Sequence, residues 1–383
     1  MLRAPYASSL IPTHGRFHPE QECSMRTPYA RDRDRIIHSA AFRRLEYKTQ
    51  VFINHEGDHY RTRLTHSLEV GQLARAMCRS LHLDEDVGEA VALAHDLGHP
   101  PFGHAGEDGL KHMMQCYDGF DHNAQAIHIL THLEQRYASF DGLNLTWEVL
   151  EGVAKHNGPL HSPYPAVMTH YDKQHSLELS TYASLEAQIA ALADDIAYHN
   201  HDIEDGVRAG FFSLDDLRFI PMFAQVLDEV DSTYGVVEVQ RRVHEVTRRM
   251  MFVMVRDVID AVQQAVARDN PQSAYDIRHA DHATARFSAP MQETQSTLKK
   301  FLMEHMYMHY RVNRMSSKAK RIVGELFTAF HKEPQCLPTE WRRKAELCDD
   351  VARARVVCDF IAGMTDRFAL QEHHKLFGLW EKT

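Results

Sequence analysis

Three histidines and two carboxylates fall within the stretch Ala94-His95-Asp96-Leu97-Gly98-His99-Pro100-Pro101-Phe102-Gly103-His104-Ala105-Gly106-Glu107. Side chains of these types bind hard divalent metals and move protons near neutral pH. Val87, Ala90, Val91, Ala94 and Leu97 recur at helical spacing, which places His95 and Asp96 in the last turn of an apolar helix. Gly98 is expected to make a left-handed exit, and Pro100-Pro101 to bar the helix from continuing. His99, His104 and Glu107 then ride on a rigid turn beyond the helix end. A lone His-Asp pair is weak evidence, because a polar helix terminus looks the same, and the chain has a second pair at His201-Asp202.

Two other helical stretches add to the pair. In Leu64 to Leu81, His66, Val70, Leu73 and Met77 share one face, so His66 points inward. A lone inward histidine is also the pattern of a satisfied core residue. In Ser184 to Asp205 an apolar stripe (Leu185, Ile189, Leu192, Ile196) runs beside a second one, Ala187, Ala191, Asp194, Tyr198 and Asp202. Small alanines beside Asp194 let another helix come close, so its carboxylate can reach a shared site; alone, Asp194 is equally a solvated residue. Together His66, His95, Asp96 and Asp194 make a set of two nitrogens and two oxygens. Two carboxylates suit Mn²⁺, Mg²⁺ or Fe²⁺ better than a thiolate-seeking metal. Such an ion polarises a phosphoryl oxygen, and His99, His104, Glu107 and His122 become outer or proton-transfer groups beside it.

The elements that must position these residues read as helices. Thr27-Pro28 starts one that runs through Leu45. Val51, Ile53, Gly57-Asp58, Tyr60 and Thr62 suggest a short β-hairpin near residues 48–63. Asp121 to Leu150 is helical, and Gly158 to Tyr171 is a long loop over a cleft. Val236 to Asn270 is one long amphipathic helix, and 271–292 are polar. Further helices follow at about 295–311, 317–331 and 339–362 and after Gly363, with Thr365 and Asp366 as caps. Arg31-Asp32-Arg33-Asp34-Arg35 reads as a solvated helix face, Met364 to Ala369 as a packing and capping motif, and residues 1–24 as a loose N-terminal extension. The fold class is all-α, mostly helical with that one hairpin.

The totals set limits. The chain has 383 residues, room for one large or two ordinary domains. No apolar run approaches the ~20 residues of a membrane span. Met1 to Gly15 has no continuous apolar segment, so no secretory signal is expected. Six cysteines without C-x-x-C spacing imply free thiols in a reducing compartment, hence a cytoplasmic location. A net charge of −10 disfavours nonspecific nucleic-acid binding by the whole chain. From Arg26 to Arg63, however, nine basic residues stand against five acidic ones, so this segment is +4 and the remainder −14. A local basic patch that includes Arg44 and Arg63 suits a small polyanion.

Several motifs taken together carry a resemblance. They are Arg43-Arg44-Leu45, Lys48-Thr49-Gln50-Val51-Phe52, Arg61-Thr62-Arg63-Leu64-Thr65-His66-Ser67, His95-Asp96 through His104, Asp121-His122-Asn123, Asp194-Asp195-Ile196-Ala197-Tyr198 and Gly363-Met364-Thr365-Asp366-Arg367-Phe368-Ala369. Over roughly residues 25 to 380 the chain resembles the bacterial deoxyguanosinetriphosphate triphosphohydrolase-like family of HD-domain phosphohydrolases. The resemblance implies an HD core over 25–215 with a helical C-terminal region, 216–383, packed on it. It implies hydrolysis of a dNTP to deoxynucleoside and tripolyphosphate, with His66, His95, Asp96 and Asp194 as metal ligands. His104, Glu107 and His122 match positions near the α-phosphate, His122 as proton donor to the leaving 5′ oxygen, with His99 beside them. Arg63 matches a phosphate-binding arginine, and Arg44 joins it as a substrate contact. Gln50, Tyr198 and Asp202 match residues that hold the deoxyribose, Asp202 at the 3′-hydroxyl. The further partners are a dNTP effector, an even-numbered homo-oligomer, which the long apolar C-terminal helices and the resemblance both suggest, and single-stranded nucleic acid, for which a basic groove between subunits would serve. Two other readings stay open: an HD phosphatase or phosphodiesterase for another nucleotide, and a nucleic-acid-binding regulatory protein on a degenerate HD fold.

Overall fold

Helix starts in this chain are set by side-chain caps. Thr27 accepts the Ala30 N–H with Pro28 in the first turn, Asp84 accepts from Asp86 and Val87, and Asp121 from Ala124. Ser184 and Thr365 do the same for later helices. Each such cap contributes about 1 kcal/mol. The computed structural model describes residues 3–50 and 61–378. Its helices are α1 (Pro28–Ile37), α2 (Ala40–Arg44), α3 (Arg63–Ser80), α4 (Glu85–Ala94), α5 (Gly103–Met113), α6 (His122–His128), α7 (Trp147–Lys155), α8 (Ala166–Asp172) and α9 (Leu185–Arg208). The second half adds α10 (Pro221–Tyr234), α11 (Val239–Asp269), α12 (Ala274–Arg278), α13 (Ala289–Leu302), α14 (Tyr310–Lys332), α15 (Thr339–Glu346), α16 (Asp350–Ala362) and α17 (Asp366–Phe377). The fold is all-α, and the described residues form no sheet. Residues 51–60 of the expected hairpin lie outside the described residues. Its two ends are joined by a Thr49–Thr62 bridge and by the Arg63 N–H on the Lys48 carbonyl.

Helices α3, α4 and α9 pack against one another, with α1 and α7 against α4 and α11 against α9. Val87, Ala90, Val91 and Ala94 of α4 are fully buried, as are Val70 and Met77 of α3 and Ile189, Ala193 and Ile196 of α9. These belong to one apolar cluster that also takes in Met250 and Met254 of α11 and Leu298 of α13. A second cluster joins Phe102, Leu110 and Phe120 to Val323, Phe327 and Phe330 of α14 and Phe360 and Ile361 of α16. No helix among the described residues is long and apolar enough to cross a membrane.

Several expectations need correction. The first helix breaks after Ile37, where Ser39 caps α2 by accepting the Phe42 N–H. The helix expected over 121–150 is α6, a π turn at Ile129–Leu133, an open stretch and then α7. There the Glu134 carboxylate accepts the Ala40 and Ala41 N–H groups, and Asn144 turns left-handed at φ 49°, so tertiary contacts override the helical pattern. The loop at 158–171 contains the start of α8. Residues 3–24 are not loose. Ser8 bonds Glu186, Thr13 bonds Glu148, and Arg16 reaches the buried Asp32 and the Asn144 carbonyl. That same contact corrects the solvated face at 31–35, since Asp32 and Arg35 are both buried.

Candidate active site

His66 stands on α3, His95 caps the C-terminus of α4 with Asp96 just beyond it, and Asp194 stands on α9. The three-helix packing brings them together. His66 Nε2 is 2.8 Å from Asp194 Oδ1, and His95 Nε2 is 3.5 Å from Asp194 Oδ1 and from Asp96 Oδ1. These are ligand-to-ligand spacings of a cation with bonds of about 2.1 Å. His66, His95 and Asp96 are buried, whereas the Asp194 side chain is 32% exposed and opens the cluster on one side.

The hydrogen bonds behind the cluster decide which nitrogens face it. His95 Nδ1 lies 2.6 Å from the Ala92 carbonyl, which only accepts, so Nδ1 carries a proton and Nε2 is the nitrogen turned to the cluster. Among the described residues that Nε2 is buried without a hydrogen-bond partner. His66 Nδ1 lies 3.2 Å from His201 Nδ1, and His201 Nε2 meets the Glu69 carboxylate. His201 donates to Glu69 and accepts from His66 Nδ1, so His66 Nε2 is the nitrogen that faces Asp194 Oδ1 and that a cation would take. Burial alone lowers a histidine, yet Asp96 and Asp194 outweigh it and raise His95 to about 9, so its Nε2 holds a proton that a cation would displace. Two imidazole Nε2 atoms set against two carboxylates form a site built for positive charge, and the donor set fits a divalent metal. Arg63, buried, meets Asp96 Oδ2 at 2.8 Å; against the pull of burial, it and the nearby histidines hold Asp96 at about 2.

A second group centres on Glu107 of α5. Its Oε1 is 2.8 Å from His122 Nδ1 and 2.9 Å from Lys111 Nζ, and its Oε2 is 3.5 Å from His104 Nδ1. Burial acts to raise Glu107, but His104, His122 and Lys111 prevail and keep it ionised far below the usual range. The His99 ring stacks on His122 with centroids 4.0 Å apart. Burial, with Arg63, His122 and His104 around it, pushes His99 well down and keeps it neutral. Gly98 packs this group together. A Cβ there would lie 1.9 Å from the His122 carbonyl oxygen and 2.4 Å from Ala126 N. Gly98 does not have the left-handed backbone expected from the sequence; that conformation belongs to Phe102 (φ 65°) and Gly103 (φ 58°).

Asp194 and His104 open on a cavity of about 640 Å³ that Gln50, Tyr198, Asp202 and Tyr307 also line. The Tyr307 hydroxyl donates to Asp202 Oδ2 and lies 2.7 Å from the Tyr198 hydroxyl. Among the described residues, Asp202 Oδ1 and Gln50 Oε1 are buried acceptors without a donor. Burial, with Asp205 adding to it, lifts Asp202 well above the carboxylate range, although the Tyr307 hydroxyl opposes this. His99 and His122 are not among the lining residues. Arg44 is placed elsewhere, in a separate cavity with Gln125, Trp341 and Phe360. Much of the basic patch is also dispersed: Arg31 and Arg35 pair with Glu20, Arg33 with Asp86 and Glu89, and Arg61 with Glu69 and Glu204. Sequence reasoning missed Glu69, His201 as a partner of His66, and Tyr307. Tyr307 ends a π turn, Met303–Tyr307, inserted between α13 and α14, a feature common at functional sites but invisible in periodicity.

Residues 63–199 match the HD domain, and residues 285–375 match the phosphohydrolase-associated domain. The deoxyguanosinetriphosphate triphosphohydrolase-like protein of Caulobacter vibrioides is 55% identical, over 98% of this chain and 97% of that protein. Its namesake in Caulobacter sp. (strain K31) is 53% identical with the same coverage, and that of Cereibacter sphaeroides is 52% identical over 98% of this chain and 100% of its own. The chain belongs to the deoxyguanosinetriphosphate triphosphohydrolase-like family. Its HD match contains both polar groups, from His66 to Asp194. Asp202 and Tyr307 of the cavity lie outside that match, and Asp366 lies inside the phosphohydrolase-associated one.

Proposed function

We propose that this chain is a metal-dependent hydrolase that converts deoxynucleoside triphosphates to deoxynucleoside and tripolyphosphate. One observation carries the reading. Helix α9 presents Asp194, Tyr198 and Asp202 at successive turns along one cavity wall, so a phosphoryl end and a hydroxyl end of one ligand are set in order. His66, His95, Asp96 and Asp194 would hold Mn²⁺, Mg²⁺ or Fe²⁺; when bound, the ion supplies Lewis-acid polarisation of an α-phosphoryl oxygen. Arg63, beside Asp96, adds fixed positive charge for the phosphate. Asp202 Oδ1 and Gln50 Oε1 are acceptors awaiting a donor, and a sugar hydroxyl is one. Water adds to the α-phosphorus as the bond to the 5′ oxygen breaks. The proton given to that oxygen is balanced by the one the water loses.

The family resemblance assigns that donation to His122. His104 opens directly on the cavity and lies by Glu107 Oε2, while His122 sits on Oε1; we assign the donor contact to His104, with His122 orienting Glu107 from its other oxygen. Product analysis with dNTP and Mn²⁺ tests the reaction: tripolyphosphate supports it, while orthophosphate or pyrophosphate points to a different HD phosphatase. No turnover with any nucleotide and any metal refutes an enzymatic role. Asp194→Ala is expected to lose both bound metal and activity. His104→Ala is expected to keep the metal and lose ~10²–10⁴ in kcat. A larger loss in His122→Ala than in His104→Ala returns the donor role to His122. Ribonucleotides, with a 2′-hydroxyl against the Tyr198–Tyr307 wall, are expected to react roughly 10²-fold less well.

A further inference from the structure

The motif Met364 to Ala369 was expected only to pack and cap. Thr365 does cap α17, accepting the Phe368 N–H. Asp366 does something else. Its side chain is buried and turned away from its own helix, with Oδ2 accepting the Thr49 N–H at 2.9 Å and the Thr49 hydroxyl, and Oδ1 accepting the Phe102 N–H at 2.8 Å. A single carboxylate thus holds two chain segments that are distant in sequence.

Both segments end in the cavity. Thr49 is followed by Gln50, which lines the cavity and whose buried Oε1 has no partner among the described residues. Phe102 is the N-cap of α5, two residues before His104. It is left-handed at φ 65°, a conformation that a bulky residue keeps only when its surroundings fix it. The Asp366 bond to its N–H is such a fixing contact. At Gly103 the two segments nearly touch, since a Cβ there would lie 3.5 Å from the Thr49 and Gln50 carbonyl oxygens. Buried Lys48 makes a parallel tie, donating to the His99 carbonyl at 2.5 Å and to the Ala362 carbonyl at 2.9 Å. The α16–α17 junction therefore grips the start of both cavity walls.

We infer that Asp366 is a positioning residue: from the C-terminal region it sets Gln50 against His104, and thereby the discrimination between deoxyribose and ribose. The inference rests on the reading of the cavity as a deoxynucleotide site. Asp366→Asn is isosteric, and its amide keeps one accepting oxygen and replaces the other with a group that cannot accept, so one wall is released. The variant is expected to keep its metal content. Its kcat/KM for a dNTP should fall about 10²-fold, the usual cost of small misplacement, and its dNTP-over-NTP preference at least about tenfold. Thr49→Val removes only the hydroxyl bond and should shift the same ratio in the same direction by less, which keeps the test informative if Asp366→Asn folds poorly. A purely structural Asp366 would lower the thermal midpoint and the active fraction for both sugars alike. An unchanged ratio in a folded variant, or parent-like kinetics, overturns the positioning role. A parent protein that discriminates between the sugars while both variants discriminate equally well overturns this inference alone; a parent with no dNTP turnover overturns the functional reading with it.

Discussion

Asp202 is a buried carboxylate with one oxygen on the Tyr307 hydroxyl and the other without a donor. Its ionised form is costly until a ligand donates to it, and burial accordingly lifts it well above its ordinary value of 3.8. The sign follows. Above pH 3.8 the folded chain holds this proton more tightly than the unfolded chain does. The stability it contributes is full below that pH and is lost as pH rises through the folded value. Asparagine cannot ionise, so Asp202→Asn should unfold at a higher temperature than the parent at pH 8, with a smaller gap at pH 4. The same change should weaken turnover, a common exchange of activity for stability. Thermal midpoints at both pH values check this, and a variant less stable at pH 8 would mean that the carboxylate is already satisfied in the fold. The residues that sequence reading found here, Asp194, Tyr198 and Asp202, share one helical stripe. Glu69 is a helical neighbour of His66, three residues on along α3, but His201 comes from α9, and only the packing of α3 on α9 joins it to them.

Among the elements, the turn after α4 was read correctly in position but not in cause. A glycine can serve a left-handed turn or a close approach, and the two look alike in sequence. At Gly98 the reason is approach, because α6 lies against it through the His122 carbonyl and Ala126 N. Gly98→Ala should force α6 outward and cost about 1–3 kcal/mol or more, read as a lower urea midpoint, with a loss of activity as His122 leaves Glu107. Gly98→Asn separates the causes: asparagine tolerates a left-handed turn and would partly rescue it, whereas here it should be worse than alanine. Helix starts were legible wherever a cap announced them, as at Thr27, Ser184 and Thr365. The Asn270 stop of α11 was legible too, and Asn270 adopts the left-handed conformation at φ 47°. The break between α6 and α7 was not, because the groups that cause it, such as Glu134 on α2, act across the fold.

Across the whole molecule, the two family matches are not separable bodies. Phe102 and Leu110, within the HD match, are packed in one apolar cluster with Phe327, Phe330 and Phe360 from the phosphohydrolase-associated match. Met291, Leu298 and Phe301 of α13, from that same region, complete the cluster around α4 and α9. Periodicity in the sequence marks each apolar face but not its partner, which lies some 200 residues away in the chain. Charge shows the same limit: the basic stretch looked like one patch, and its acidic partners come from Glu20, Asp86, Glu89 and Glu204. A fragment ending at residue 284 would therefore lose both packings. Removing one buried phenylalanine costs about 3–5 kcal/mol, against a total stability of about 5–15 kcal/mol for a typical protein. The loss of Phe301, Phe327, Phe330 and Phe360 together exceeds that margin. The fragment should show no cooperative unfolding transition, bind an apolar dye and hold no metal at the His66–Asp194 cluster. A fragment that unfolds cooperatively with metal bound would make the C-terminal region an accessory, and the tie from Asp366 to Thr49 and Phe102 would then be dispensable to the site.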